Sequence, residues 1–299
     1  MRVFVTGGTG AIGTHAVPAL IAAGHSVTAL ARGAAKAGVL RSQGAEPISV
    51  SLFDRGTLTE AFAGHDAVVN LASALPSTTA FIRKSAWAEC ERVRTEGSAT
   101  VVDAALDAGV PRLIQESVSM IYRDGGSDWI DEDHPVDHYP ISRGNHAAEA
   151  SARRFAGDAT ILRFGVFYGP HAAHSEQILD MAKWHIGFSP GCSDTYISSI
   201  HVMDAANAVV AALSTPSGTY NIVDDTPLTK REYADACAAA VERRIWISGP
   251  GRLALLLGDR LTSITRSLRV SNKRFRDASG WAPRYPSAAE GYRAMAQLR

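Results

Sequence analysis

Residues 6–13 read TGGTGAIG, Thr6 to Gly13, and follow an apolar run, Val3–Thr6, that predicts a short strand. Behind them, His15–Ala23 predicts a helix, with Gly24 suited to its C-terminal cap. Each glycine has a distinct use in this setting. Gly7 permits a tight turn, Gly10 lets the backbone approach a pyrophosphate, and Gly13 lets the helix pack closely on the sheet. Amides at the start of the helix then face the anion. Strand, glycine-rich turn and helix together are the context that a dinucleotide fingerprint requires.

The same alternation continues outward. Ser26–Ala31 and Pro47–Ser51 predict strands, with a helix or loop over Gly33–Gln43 between them. Asp54 opens a helix in which Thr57 and Glu60 have the spacing of a capping box. Ala67–Ala72 is a continuously apolar strand, Trp87–Ala108 a long helix, and Arg112–Glu116 a further strand. Strands that are apolar throughout and separated by helices imply a parallel sheet covered on both faces. The expected class is α/β, a Rossmann-type doubly wound parallel sheet followed by a smaller C-terminal lobe.

Composition narrows the function. Thirty basic and thirty acidic side chains cancel in 299 residues, which leaves no electrostatic footprint for nucleic acid. Cys90, Cys192 and Cys237 form neither a metal spacing nor a disulfide framework, so a reducing compartment is expected. No leader precedes the first strand, and the apolar stretch Leu253–Leu257 is too short to span a bilayer. A cytoplasmic protein with a small-molecule substrate, no nucleic acid, no membrane and no metal is the expectation.

Six further stretches, with the glycine turn, carry a resemblance. HDAVVNLAS (65–73), EGSATVVDAALDAGVPRLI (96–114), LRFGVFYGP (162–170), SIHVMDAANAVVAAL (199–213), TYNIVDD (219–225) and SNKRFRDASGWAPRYPS (271–287) occur in the order seen in the extended short-chain dehydrogenase/reductase superfamily, epimerase/dehydratase branch, which the chain resembles over nearly its whole length. The resemblance implies a dinucleotide held by Gly7, Thr9, Gly10, Ala11, Ile12 and Gly13, with Ser51 and Leu52 near the adenine and Leu71, Ala72 and Ser73 near the ribose and nicotinamide. It implies a nucleotide-binding domain over 1–163 plus 198–222, a substrate-binding lobe over 164–197 plus 223–299, and a possible homodimer. An acidic residue ending the second strand would hold the ribose of NAD. Ala31 stands there, followed by Arg32, whose planar fork suits a 2′-phosphate, so NADP is favoured over NAD.

The proton-transfer groups depart from the resemblance. A tyrosine needs a nearby cation to act as a base near neutral pH, and the superfamily supplies a lysine four residues on. Counting back from Ala148-Glu149 puts Ile141 and Asn145 at those places, and counting forward from Pro135 gives Ser142 and His146. Only a slipped register pairs Tyr139 with Arg143, and Pro140 pushes Tyr139 into an extended conformation outside the helix. A loop tyrosine and a helix-end arginine is the competing reading. The substrate-orienting hydroxyl falls on Val118, flanked by Ser117 and Ser119, and Arg94 stands at the place of the family's asparagine. Ser117, Tyr139 and Arg143 are the candidate catalytic set. Glu116 is a conceivable acid or base at a strand end; His146, His171, His174 and His201 are weaker candidates, and Tyr168 and Tyr196 possible pocket aromatics. Two function classes follow: an NADP-dependent oxidoreductase, epimerase or dehydratase with a non-standard proton donor, or a dinucleotide-binding sensor or scaffold without turnover.

Overall fold

A computed structural model describes residues 1–170 and 172–298 of the chain. Seven strands form one sheet in which every neighbouring pair is parallel. They are β1 (Arg2–Thr6), β2 (Ser26–Leu30), β3 (Glu46–Ile48), β4 (Ala67–Asn70), β5 (Arg112–Val118), β6 (Asp158–Phe164) and β7 (Gly218–Ile222). Their spatial order is β3-β2-β1-β4-β5-β6-β7. From β1 the chain winds outward to β3 and then returns to lay β4 on the other side of β1. The loops leaving β1 and β4 therefore diverge, and the crevice between them is where ligands enter open α/β sheets.

Helices cover both faces, which is why the strands are apolar on both sides. Helix α1 (Gly13–Ala22) packs beside the late helix Val202–Ala212, closing a core with Val3, Val5, Ala29, Val69, Ile114 and Leu162. Helix α2 (Ala34–Ser42) covers the same face, adding Leu40 to that core, and leads into β3; on the other face α3 (Arg55–Phe62) packs on α5 (Ser98–Asp107) over Phe4, Val68 and Leu113. Pro18 lies inside α1 and cannot donate to the Thr14 carbonyl; the Gln43 side-chain amide donates to it instead, at 3.1 Å.

Helix α3 opens at Asp54 as expected: Asp54 is its N-cap and accepts from the Thr57 amide at 3.2 Å, so Asp54 and not Thr57 caps the helix. The expected long helix is present but not uniform. Helix α4 (Ala88–Arg92) passes through a π turn, Val93–Gly97, before α5 continues it.

Beyond the sheet, the helices Ala173–Lys183, Lys230–Ala240 and Ala288–Gln297 enclose a second core of Tyr168, Leu179, Tyr233, Cys237, Tyr292 and Met295. Tyr168 is therefore core and not a pocket aromatic. Its ring stacks on Tyr292 at 5.1 Å and lies against Gly291, where any Cβ would collide with it. The Tyr233 and Tyr292 hydroxyls meet at 2.9 Å. No described helix is long and apolar enough to cross a membrane.

Candidate active site

The glycine turn is shaped by backbone contacts. Gly7 has φ +70°, and a Cβ there would stand 2.3 Å from the Leu71 carbonyl oxygen. A Cβ on Gly13 would stand 2.1 Å from the Gly7 carbonyl oxygen. The turn thus presses directly against the loop after β4, and the Gly10 amide donates back to Gly7 at 2.9 Å. Beneath it, the Thr6 hydroxyl donates to Asn70, whose amide donates to Gln115 at 2.8 Å and to Ser98 at 3.2 Å. This chain of bonds fixes the tips of β1, β4 and β5 relative to one another.

Thr9 is half-buried, Gly10 and Ala11 are exposed, and Ile12 is buried against the sheet. Arg32 follows the buried Ala31, is exposed, and has no side-chain hydrogen bond or ion pair among the described residues. Leu52 is buried and packs against Gly97 of the π turn, where a Cβ would stand 2.7 Å from its side chain. Ser51 is exposed and accepts from the Phe53 amide. The Leu71 amide donates to the Thr6 carbonyl, the Ala72 amide donates to Asn70, and Ser73 is half-buried. The twelve sequence-identified cofactor positions thus divide between the turn after β1, the end of β2 and the loops after β3 and β4.

The catalytic candidates part company. Helix α6 (Arg143–Arg153) starts after a 3-10 turn opened by Pro140, and Tyr139 before it is extended (φ −133°, ψ 161°). The Tyr139 hydroxyl donates to the Met120 carbonyl at 2.9 Å, while Arg143 is 75% exposed and pairs with Glu91 at 3.1 Å. The structure does not bring Tyr139 and Arg143 together. The cation beside Tyr139 is Arg266, 5.0 Å above the ring. Burial pushes the Tyr139 phenol up to about 12, with Arg266 opposing the rise.

Ser117 is fully buried and donates to Glu149 at 2.7 Å. Glu149 is also clasped by Arg163, whose Nε and Nη2 each lie 2.8 Å from a carboxylate oxygen, and Arg163 reaches the Tyr122 hydroxyl. The Ser117 hydroxyl therefore belongs to an interior network under the strand tips. His146 donates to the Asp137 carbonyl and His174 to the Phe167 carbonyl. His201 caps Val202–Ala212 by accepting from the Met203 amide. Tyr196 lies under Arg269. His171 lies outside the described residues.

Strand β5 runs on to Val118, two residues past its expected end, so Glu116 lies inside the strand near its C-terminal end. Glu116 is 5% exposed, and Arg94 of the π turn donates to its Oε1 at 2.8 Å. Glu116 Oε2 and Arg94 Nε have no hydrogen-bond partner, and neither does the side-chain carbonyl of Asn145 on α6. Asn145 follows Gly144, whose missing Cβ leaves room for the Arg94 stem 3.0 Å away. Buried polar atoms are almost always paired, so the second oxygen of Glu116 and the Nε of Arg94 are bonding capacity left open within one ion pair. Burial pushes the Glu116 carboxyl upward against the pull of Arg94. Burial likewise raises the Cys90 thiol, which lies beside the same arginine. The π turn is the feature that sequence reasoning missed: it turns Arg94 inward, and the hydrophobic periodicity carries no sign of it. Among the described residues no three His, Cys, Asp or Glu side chains are placed to hold a metal.

The description "NAD dependent epimerase/dehydratase family" matches residues 3–223. The chain belongs to the NAD-dependent epimerase/dehydratase family. It is accordingly a nicotinamide-dinucleotide-dependent enzyme of the extended short-chain type. A 3-diazoavenalumate denitrifying reductase from a Streptomyces species is 32% identical over 97% of this chain and 99% of its own. A 4-hydroxy-2-methyl-3-oxo-4-farnesyl-3,4-dihydroquinoline-1-oxide ketoreductase from Stigmatella aurantiaca is 31% identical over 78% of this chain and 71% of its own. The structure of the human epimerase family protein SDR39U1 with NADPH has the same fold, with a TM-score of 0.83, 24% identity and full coverage of both chains.

Proposed function

We propose that this family member is an NADP(H)-dependent reductase of a small organic carbonyl compound, with Glu116 as the proton donor in place of a tyrosine. The observation that supports this reading most directly is the buried Arg94–Glu116 pair, 2.8 Å apart, with Glu116 Oε2 and Arg94 Nε left without partners. The turn residues Gly7, Thr9, Gly10, Ala11, Ile12 and Gly13 would hold the pyrophosphate, Ser51 and Leu52 the adenine, and Leu71, Ala72 and Ser73 the nicotinamide ribose. Arg32, free of any partner, would take the 2′-phosphate. The lobe over 164–197 plus 223–299 would close over the substrate.

The bound cofactor supplies a hydride to the carbonyl carbon. As that C–H bond forms, the C=O π bond breaks and charge develops on oxygen. Glu116 transfers its proton to that oxygen and is reprotonated from solvent. Arg94 holds the carboxyl in place through Oε1 and leaves Oε2 facing the substrate, while its own Nε and the Asn145 amide orient the reacting group. A carboxyl pushed upward by burial is suited to donating a proton near neutral pH. Tyr139 contributes packing, because its hydroxyl is already committed to Met120.

Glu116→Gln keeps the shape and removes the acid, and a reduction of kcat by about 10²- to 10⁴-fold is expected with NADPH affinity unchanged. In the wild type, kcat should fall as pH rises through the Glu116 pKa, and that alkaline limb should be absent from the residual rate of Glu116→Gln. An unaltered kcat in that variant would remove Glu116 from the chemistry. Tight NADPH binding without turnover of any carbonyl compound would instead favour the sensor reading. For the cofactor, Arg32→Ala should weaken NADPH binding by roughly ten- to a hundredfold and leave NADH binding as it was, as read by equilibrium titration of each.

A further inference from the structure

Resting on the reading of Glu116 as the proton donor, we propose that Arg266 is a positioning residue of the reaction: it clips together the two ends of the loop between β5 and α6, and so holds Glu116 and Arg94 in place, with Lys230 as the buried brace of its main chain. The loop leaves β5 after Val118 and enters α6 at Arg143. Arg266 comes from the far end of the chain, yet its guanidinium reaches both ends of that loop. One nitrogen donates to the Tyr122 carbonyl at 2.7 Å, just past β5, and another pairs with the Asp137 carboxylate, shortly before α6. The same group lies 5.0 Å above the Tyr139 ring. A planar fork can serve a carbonyl, a carboxylate and a ring face at once, which a lysine cannot. The ends also bond to each other directly: the Asp137 amide donates to the Ile121 carbonyl at 2.8 Å, and the Tyr139 hydroxyl to the Met120 carbonyl at 2.9 Å.

Each end of the clip leads to a reacting group. The 3-10 turn Ser119–Ile121 continues directly from the strand that carries Glu116, and Tyr122 ends that turn. On the other side the Asp137 carbonyl accepts from the Ser142 hydroxyl at 3.2 Å and from His146 at 2.8 Å, which sets the first turn of α6. That turn holds Gly144, against which the Arg94 stem packs. Moving Asp137 would therefore move the helix that backs Arg94, and with it the arginine that grips Glu116. The main chain of Arg266 is itself held. Lys230 is 3% exposed and donates to the Thr265 and Arg266 carbonyls at 2.8 and 3.2 Å. Gly191 makes room for this contact: its φ is +91°, and a Cβ there would stand 2.8 Å from the Thr265 carbonyl oxygen and 3.2 Å from Lys230 Nζ. Next along the chain, the Ser267 amide donates to Asp124 at 2.9 Å and the Ser267 hydroxyl accepts from the Tyr196 amide at 3.0 Å. Arg266 thus projects from a fixed backbone, which is what holding a site within a fraction of an ångström requires.

Hydrogen exchange of the NADPH-loaded protein, read by mass spectrometry, tests the clip. Arg266→Met should speed exchange over residues 119–124 and 137–146 at least tenfold and leave β1 and β2 within twofold. Unchanged exchange over 119–146 would overturn the proposal, and so would an equal rise throughout the chain. Single-turnover reduction tests the positioning. Arg266→Met should lower the rate at least tenfold in the wild type but less than threefold in Glu116→Gln, because a residue that acts through Glu116 has nothing left to place once the acid is gone. Equal falls in both backgrounds would show a structural role alone and contradict the proposal. Asp137→Asn weakens the same clip from its other side and should give the same pattern at smaller amplitude, which keeps the test open if Arg266→Met fails to fold. A Glu116→Gln enzyme as fast as the wild type would sink the donor reading and the route through Glu116, while the exchange result would still decide the clip.

Discussion

Gly13 carries a hydrogen where any other residue carries a Cβ, and that Cβ would stand 2.1 Å from the Gly7 carbonyl oxygen. Relief would require the first turn of α1 to lift from the sheet, which spoils the cradle that we propose for the pyrophosphate. Gly13→Ala should therefore abolish saturable quenching or enhancement of NADPH fluorescence, while circular dichroism shows a folded protein of lower stability. Arg163 stands at the opposite extreme. It is 4% exposed and grips both oxygens of Glu149, which is itself buried. Burial pushes the Glu149 carboxyl up, but Arg163 and Ser117 outweigh it and hold the group below the usual carboxylate range. Arg163→Met would leave that buried carboxylate with only Ser117 and the half-exposed Arg153, and the Tyr122 hydroxyl with only Asn221. A loss of about 3–5 kcal/mol is expected, measured by urea denaturation at pH 7.

Among the elements, the one most exposed to pH is the helix Val202–Ala212. Its N-cap is His201, which accepts from the Met203 amide and so must be unprotonated at Nδ1. Burial, helped by the positive charges of His15 and Arg284, lowers its pKa from 6.5 to about 4. A depressed folded-state value means the stabilisation is complete above 6.5 and is lost as pH falls towards 4. His201 should thus account for about 2 kcal/mol of lost stability between pH 7.5 and 5. His201→Asn keeps a capping acceptor without titrating, and its stability should fall correspondingly less over that interval; equal falls in both proteins would show that the cap is not the sensitive group. Elements differ equally in how far they could be read from sequence. The glycine turn was legible because four glycines fall in eight residues between a strand and a helix, although the contact of Gly7 with Leu71 after β4 was not. Glu116 was legible as a strand-end carboxyl. Its partnership with Arg94 was not, because it depends on a π turn that adds a residue to one helical turn without altering the hydrophobic pattern. Tyr139 and Arg143 have the spacing of a pair, yet the proline between them places one outside the helix and the other on its solvent face. The capping box that does form, Thr229 with Glu232, lies in the later lobe. There the pairing of Ile186–Pro190 with Ile247–Gly251 spans some sixty residues of chain, and no local pattern announces it.

Taken as a whole, the molecule sets a sheet core and a tyrosine-rich second core side by side, joined by buried polar bonds and bridged at the surface by exposed ones. Asp204, near the start of Val202–Ala212, accepts from the Arg284 and Tyr285 amides at 2.9 and 3.0 Å and so ties the C-terminal segment to the sheet domain. The Lys84–Asp259 pair is by contrast about half exposed on each side. Lys84→Gln should change global stability by less than about 1 kcal/mol, a difference that urea denaturation can resolve. Around these supports, the chemistry rests on whether the proton comes from the carboxyl near the end of β5 or from the tyrosine before α6. Single-turnover reduction by enzyme-bound NADPH, followed at 340 nm in Glu116→Gln and Tyr139→Phe side by side, decides between them. The rate should fall at least a hundredfold in Glu116→Gln and stay within threefold of the wild type in Tyr139→Phe; the reverse pattern would contradict the assignment of Glu116.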